Sequence, residues 1–286
     1  ASYVPVLETE GGAAVAAPAP PAPRPAPSPV SVPCDYFTPA YDGRFGPSDA
    51  ARTLASLPAA RILVVKPSGI GNMVMFRPAM RALRSLAPGA RVTVACYAQE
   101  AEAISDLADA VLALRRKHPQ TGAVDASEFE ELVRPGAFDV ALYPPFTNLS
   151  RPTPWLSRTI PVHVVHPEIN FPARHEVLHN LDVMALLGWE GAMPSADLPG
   201  DATAPERFGI PAGSVGLHCG ASGSAHMQKN RWPLEHWAAL LDMIPAGVPV
   251  VCLGGPGEEG DNRRLVELLR VRPPETVTNL AGRLTL

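Results

Sequence analysis

The chain has 286 residues, enough for two domains of ordinary size or one large one, and its 46% apolar and 18% charged residues are a globular balance. A formal net charge of −4 excludes a whole-protein basic field for nucleic acid, so any phosphate contact must be local. Four cysteines, far apart and without a CxxC, suggest neither a zinc knuckle nor a disulfide framework and fit a reducing cytoplasm, and no apolar run is long enough to span a bilayer.

From Pro18 to Pro33 eight of sixteen residues are proline, a composition that favours extended polyproline II and cannot bury a core, so residues 1–55 read as a disordered Pro/Ala-rich tail or linker. The β-branched run RILVV at 61–65 reads as a strand. It ends at the turn PSGIGN and enters a helical pattern carried by Met73, Phe76, Met80, Leu83 and Leu86. RVTVACY at 91–97 reads as a second strand, 100–114 as a helix leading into a short strand, and 138–144 and 160–166 as two more strands. A helix over 176–187 is closed by Gly188. Beyond a Pro-containing connection, SVGLHCG, PLEHWAALLDMI, PVVCLGG, GDNRRLVELLRV and ETVTNLA repeat the alternation of strand and helix. Such alternation predicts an α/β fold, parallel sheets wound on both faces. The expected layout is a Rossmann-like domain over 56–190, a connection over 191–211 and a second doubly wound domain over 212–286. With three strands that second domain reads as incomplete, and the chain as truncated within it.

Three strand-to-helix loops carry the candidate chemistry, because ligands of open α/β sheets bind outside the carboxyl ends of the strands. In PSGIGNMV the amides of Gly69 to Asn72 are placed to hold a phosphate or sugar oxygen. The bland alternative is a tight turn made by Gly69 and Gly71, with Asn72 as helix N-cap. Val74 replaces the third glycine of a dinucleotide fingerprint, and no acidic residue closes the second strand, which counts against NAD. The loop from His218 to Pro233 delivers Lys229 and Arg231 just before a helix, a pattern for an anion such as a diphosphate, against the alternative of two solvated cations. In GGPGEEGDN the acids Glu258, Glu259 and Asp261 suit ribose hydroxyls better than phosphate, or simply complement a helix dipole. HEVLH at 175–179 matches the zinc-peptidase pattern HExxH, but Asp182 stands where the extended pattern has glycine, and the amphipathic remainder reads as an interdomain helix.

Taken in order and spacing, RILVVKPSGIGNMVMFRPAMRALR, HEVLHNLDVMALLGW, GLHCGASGSAHMQKNRWPLEHWAAL, CLGGPGEEGDN and NLAGRLTL resemble glycosyltransferase family nine, the heptosyltransferases, over residues 61–286. The resemblance implies a GT-B architecture of two Rossmann-like domains, an N-terminal one for the acceptor and a C-terminal one for the nucleotide sugar. It implies an enzyme that inverts the anomeric centre, transferring a heptose from ADP-heptose to a lipopolysaccharide-type or other surface glycan acceptor, with no cofactor and no metal. The protein would be cytoplasmic, in peripheral contact with the inner membrane face. Carried over by position, Ser68, Gly69 and Gly71 face the acceptor and the reacting sugar, and Asn72 holds the position of the family's base. Gly220, Ala221 and Ser222 with Lys229 or Arg231 hold the donor diphosphate, Glu258 or Glu259 meets the ribose, and Leu284 lies near the base. The family places aspartate where this chain has Asn72, whose amide accepts no proton at neutral pH, so Asp139 or Glu168 becomes the alternative base. The family's Asp-Ser/Thr-Gly-x-x-His stretch does not occur. Two rival expectations are a non-catalytic nucleotide-sugar-binding or scaffold protein and, third, a zinc peptidase.

Overall fold

The computed structural model describes residues 54–55, 59–115, 124–145, 147–166, 175–220 and 231–284. The Pro/Ala-rich segment lies outside them. The elements, in chain order, are β1 (Arg61–Val65), α1 (Ile70–Leu86), β2 (Arg91–Tyr97), β3 (Ala110–Leu114), α2 (Ser127–Leu132), β4 (Val140–Tyr143), α3 (Pro154–Thr159), β5 (Val162–Val165), α4 (Glu176–Ala185), α5 (Ala204–Arg207), β6 (Val215–His218), α6 (Leu234–Met243), β7 (Val250–Leu253), α7 (Glu259–Glu267) and β8 (Val277–Asn279).

Two parallel sheets result. The first has the order β3-β2-β1-β4-β5, and the second β6-β7-β8. In the first, β1 is buried on both faces, which is why it is a continuous apolar run rather than an alternating one. Its period of two sorts the residues. Ile62 and Val64 pack with Met73, Phe76, Met80 and Leu83 of α1 and with Val183 and Met184 of α4. Leu63 and Val65 pack on the other side with Phe129 of α2 and with Leu156 and Ile160 of the α3 segment. In the second sheet Leu217, Val250 and Cys252 share one face with Ala238 and Leu241 of α6 and Leu265 of α7. Burial pushes the thiols of Cys96 and Cys219 up to about 12 and that of Cys252 to about 11, so these three act as apolar filling.

Every strand read from the sequence is present, but two local expectations need correction and two short helices were not foreseen. The segment after β2 is not an α-helix; it forms two 3-10 turns, Ala98–Ala103 and Ser105–Leu107. The reason lies in its partners. Buried Glu100 turns inward to accept the Tyr97 amide at 3.1 Å, and the Ala103 carbonyl is taken by Arg77 Nη1 at 2.8 Å rather than by the next helical turn. The N-cap of α1 is Gly69, not Asn72, which is the third residue of the helix. The short helices α2 and α3, which carry no long periodic pattern, complete the second face of the first sheet.

A reciprocal clamp closes the second unit. Asp242 near the end of α6 accepts the amides of Arg270, Val271 and Arg272 at 3.0, 3.1 and 2.9 Å. The buried Arg272 guanidinium in turn donates to the carbonyls of Leu241, Ile244, Pro245 and Val248 and to Thr276 Oγ1, so one cation satisfies the orphan carbonyls at a helix C-terminus. Arg272→Met is expected to lower the unfolding free energy by ~2–4 kcal/mol, read from urea midpoints, because several buried acceptors lose their donor together. Arg272→Lys is expected to recover less than half of that, since an ammonium cannot span the same fork of acceptors.

Candidate functional site

In the first sheet the chain leaves β1 for β2 on one side and reaches β4 on the other, so the topological switch point lies between β1 and β4. Lys66, the residue after β1, closes that crevice. Its side chain is fully buried, its Nζ donates to the Pro145 carbonyl just past β4, and it stands 3.5 Å from Glu176 Oε1 on the first turn of α4. The Phe76 ring of α1 covers the ammonium with its centroid at 5.8 Å. Burial pushes the Lys66 ammonium down to about 8, against the opposing pull of Glu176 and Glu100. Burial also raises the Glu176 carboxyl above its ordinary value, with Lys66 pulling it down.

The glycine loop is held from beneath. Ser68 donates its amide to both oxygens of Glu100 at 3.3 Å, and the Pro67 carbonyl accepts from Thr147 Oγ1 at 2.9 Å and from the Asn148 amide at 2.7 Å. What remains above the loop is open: a Cβ on Gly69 or Gly71 would meet nothing within 4 Å, and the first turn of α1 carries no acidic residue. Ser68, Gly69, Gly71 and Asn72 thus stand together at the mouth of the switch point, at the N-terminus of a 17-residue helix whose first amides have no partner within the helix. Asn180 Nδ2 bonds the Met75 carbonyl at 3.2 Å and braces α4 against α1.

Asp139 does not belong to this group. It lies just before β4, at the opposite end of the sheet, where it accepts the Arg61 amide at 2.8 Å and pairs with the Arg61 guanidinium at 2.6 Å. A β1 of five residues separates the two ends by about 15 Å, too far for Asp139 to serve as base. Glu168 lies outside the described residues. The residues that sequence reasoning passed over are Glu100 and Glu176. Glu100 left no readable signal, whereas Glu176 was visible only inside the HExxH pattern.

That pattern is not assembled into a zinc-peptidase site. His175 is the N-cap of α4, its Nδ1 accepting the Val177 amide at 3.3 Å, and it is exposed. Glu176 turns to Lys66, and His179 is buried beside Asp182.

At the carboxyl edge of the second sheet, Gly220, Arg231 and Glu258 converge. Ala221, Ser222 and Lys229 lie outside the described residues. Glu258 Oε2 accepts the Gly255 amide at 2.8 Å and stands 3.4 Å from His218 Nε2, while its Oε1 is 3.6 Å from Arg231 Nη2. Arg231 also donates to Asp261 at 2.6 Å. The Glu258 carboxylate fills the space over Gly220, where a Cβ would sit 1.3 Å from its oxygen, so any other residue there would displace the carboxylate from this position. Glu259 is separate. It pairs with Arg263 at 2.7 Å and lines an open groove of ≈ 630 Å³ with Pro256, Asn279, Gly282 and Arg283, next to Leu284 in sequence.

No family model matches the chain, and no curated protein does. Solved structures do. The chain is similar to a glycosyl transferase family 9 protein from Veillonella parvula DSM 2008, at 16% identity and TM-score 0.56, over 79% of this chain and 70% of that one. It is similar to the E. coli ADP-heptose lps heptosyltransferase II at 19% identity and TM-score 0.54, over 79% and 73%. It is also similar to the E. coli heptosyltransferase WaaC with ADP-2-deoxy-2-fluoro heptose at 19% identity and TM-score 0.53, over 79% and 77%. The fold is GT-B-like. Among the described residues no helix is long and apolar enough to cross a membrane.

The Lys66 shift has a measurable sign. Between about pH 8 and 10.5 the folded chain holds fewer protons on Lys66 than the unfolded chain, so this group makes stability rise with pH across that window. Urea unfolding of wild type and Lys66→Met should therefore diverge by up to ~3 kcal/mol as the pH is raised through it, the wild type gaining. Parallel curves would mean that Lys66 titrates as an ordinary lysine.

Proposed function

We infer that the protein is a glycosyltransferase that moves a sugar, most specifically heptose from ADP-heptose, onto a hydroxyl of a lipopolysaccharide-type or other surface glycan acceptor. The observation that carries this reading is the switch-point loop: Ser68 to Asn72 present open glycines and helix N-terminal amides over a buried Lys66, within a GT-B-like fold. In this reading Ser68, Gly69 and Gly71 receive the acceptor and the reacting sugar. The second edge takes the donor, with Gly220, Ala221, Ser222, Lys229 and Arg231 around the diphosphate. Glu259, which is exposed in the groove beside Leu284, suits the ribose and base, and Glu258 holds the Gly254–Gly255 turn. The enzyme would work in the cytoplasm against the inner membrane face, with its acceptor domain over residues 56–190 and its donor domain over 212–286.

The reaction needs no covalent sugar–enzyme intermediate. An acceptor oxygen attacks the anomeric carbon while a base removes its proton, and the bond to the diphosphate breaks with its electron pair leaving on phosphate oxygen. Asn72 cannot take that proton, and its amide is suited instead to orient the hydroxyl. Of the two carboxylates near Lys66, buried Glu100 is committed to the amides of Ser68 and Tyr97. Glu176 keeps 13% of its side chain exposed and has a raised pKa, so the base is assigned to Glu176.

With ADP-heptose and a glycan acceptor, release of nucleoside diphosphate is the assay. Glu176→Gln is expected to lower kcat about 10²–10⁴-fold with a small change in KM. The acid limb of the wild-type pH profile should lie above the ordinary glutamate value of 4.5. A second reading, a non-catalytic nucleotide-sugar-binding protein, is favoured by Asn72 alone. Binding of ADP-sugar without turnover in wild type, together with turnover in Asn72→Asp, would establish it in place of the first.

A further inference from the structure

We propose that His166, His179 and Asp182 form a zinc-class metal site that takes only the second histidine of the HExxH pattern and is independent of the glycosyl-transfer reading. His166 directly follows β5, while His179 and Asp182 sit three residues apart on α4, the next element of the chain, so the three side chains tie two consecutive elements together. All three are buried, at 5%, 2% and 8% of full exposure. One oxygen of Asp182 is the meeting point: His166 Nε2 lies 3.4 Å from Oδ2 and His179 Nδ1 lies 3.6 Å from the same atom, and the ligand atoms of all three lie within 4.8 Å of one another.

Those separations discriminate between two arrangements. A charge-assisted carboxylate–imidazolium hydrogen bond closes to about 2.7–2.9 Å, whereas His166 Nε2 makes only a long hydrogen bond to Asp182 Oδ2 at 3.4 Å and His179 Nδ1 stands 3.6 Å from the same oxygen. Two ligands bound to one tetrahedral zinc at about 2.0–2.2 Å stand about 3.3–3.5 Å apart, which is close to the two distances observed. The imidazole rings meet edge to face at 85° with centroids 6.0 Å apart, so the two rings are not stacked and their nitrogens can address one point from different sides.

The donor set selects the metal. Two imidazole nitrogens and one carboxylate oxygen suit zinc and its borderline neighbours rather than magnesium or calcium, which take oxygen ligands. Three-ligand sites of this kind complete their tetrahedron with water. Because Asn180 ties α4 to α1 and Glu176 begins α4, a metal here would brace the helix that carries Glu176 rather than touch the reacting atoms. His175 is not a ligand, since its ring caps its own helix.

The test uses the full chain without an affinity tag, stripped of metal and then titrated with Zn²⁺ and with Co²⁺. Expected are one zinc per chain by elemental analysis and calorimetry, a raised melting temperature, and cobalt absorption of a tetrahedral type with two imidazole nitrogens by X-ray absorption. Asp182→Asn and His166→Ala should each weaken zinc binding at least about 100-fold while His175→Ala leaves it unchanged. Each variant is compared with the metal-stripped wild type by circular dichroism, and the cobalt ligand count in wild type needs no variant at all. Substoichiometric zinc, cobalt bound only by oxygen, or loss of binding in His175→Ala would each overturn the proposal.

Discussion

A buried ammonium organises the first sheet. Lys66 has left β1 and reaches across the switch point to a carbonyl at the end of β4 and a carboxylate at the start of α4. Placing a lysine in an apolar site is costly unless it is paired and hydrogen-bonded, and the fall of its pKa to about 8 measures the part of that cost left over. The return is positional. Three elements distant in sequence are pinned to one atom, directly under a glycine loop that must present its amides in a fixed orientation.

The second sheet uses a different device at its own edge. There the Glu258 carboxylate lies over Gly220, accepts the Gly255 amide and faces His218 and Arg231, so its present position depends on the absence of a side chain at Gly220. Gly282 adds a second requirement, with φ of 72° and a Cβ position 2.9 Å from the Pro256 backbone. The first edge has its glycines open and its carboxylates beneath; the second has its carboxylates among the loops. The two edges therefore present different chemistry at the carboxyl ends of their strands.

Much of the fold was legible because parallel strands buried on both faces must be short apolar runs, and each of RILVV, RVTVACY, FDVALYP and VHVV stands out as one. The Rossmann-like alternation followed from their spacing. The segment after β2 misled because its apolar pattern is helical while its own Glu100 turns back to the Tyr97 amide and its Ala103 carbonyl goes to Arg77 of α1. The candidate site was legible as loops and not as chemistry. Ser68, Gly69, Gly71 and Asn72 were found through the glycine spacing, yet Asp139 was drawn in only because it is acidic and near a strand, and the direction of that strand puts it at the wrong end.

The sequence by itself determined the strands, the order in which they alternate with helices, and the loops at their carboxyl ends, since burial periodicity and glycine positions are local properties. Only the tertiary structure decided which side chains share a site. Glu176 and His179 sit three residues apart on one helix, yet one faces Lys66 across the switch point and the other faces His166 beyond β5. A five-residue pattern could not divide them, because the partners that give each its role stand after two different strands, β1 and β5, and meet α4 only once the sheet is assembled and the helix is packed on it.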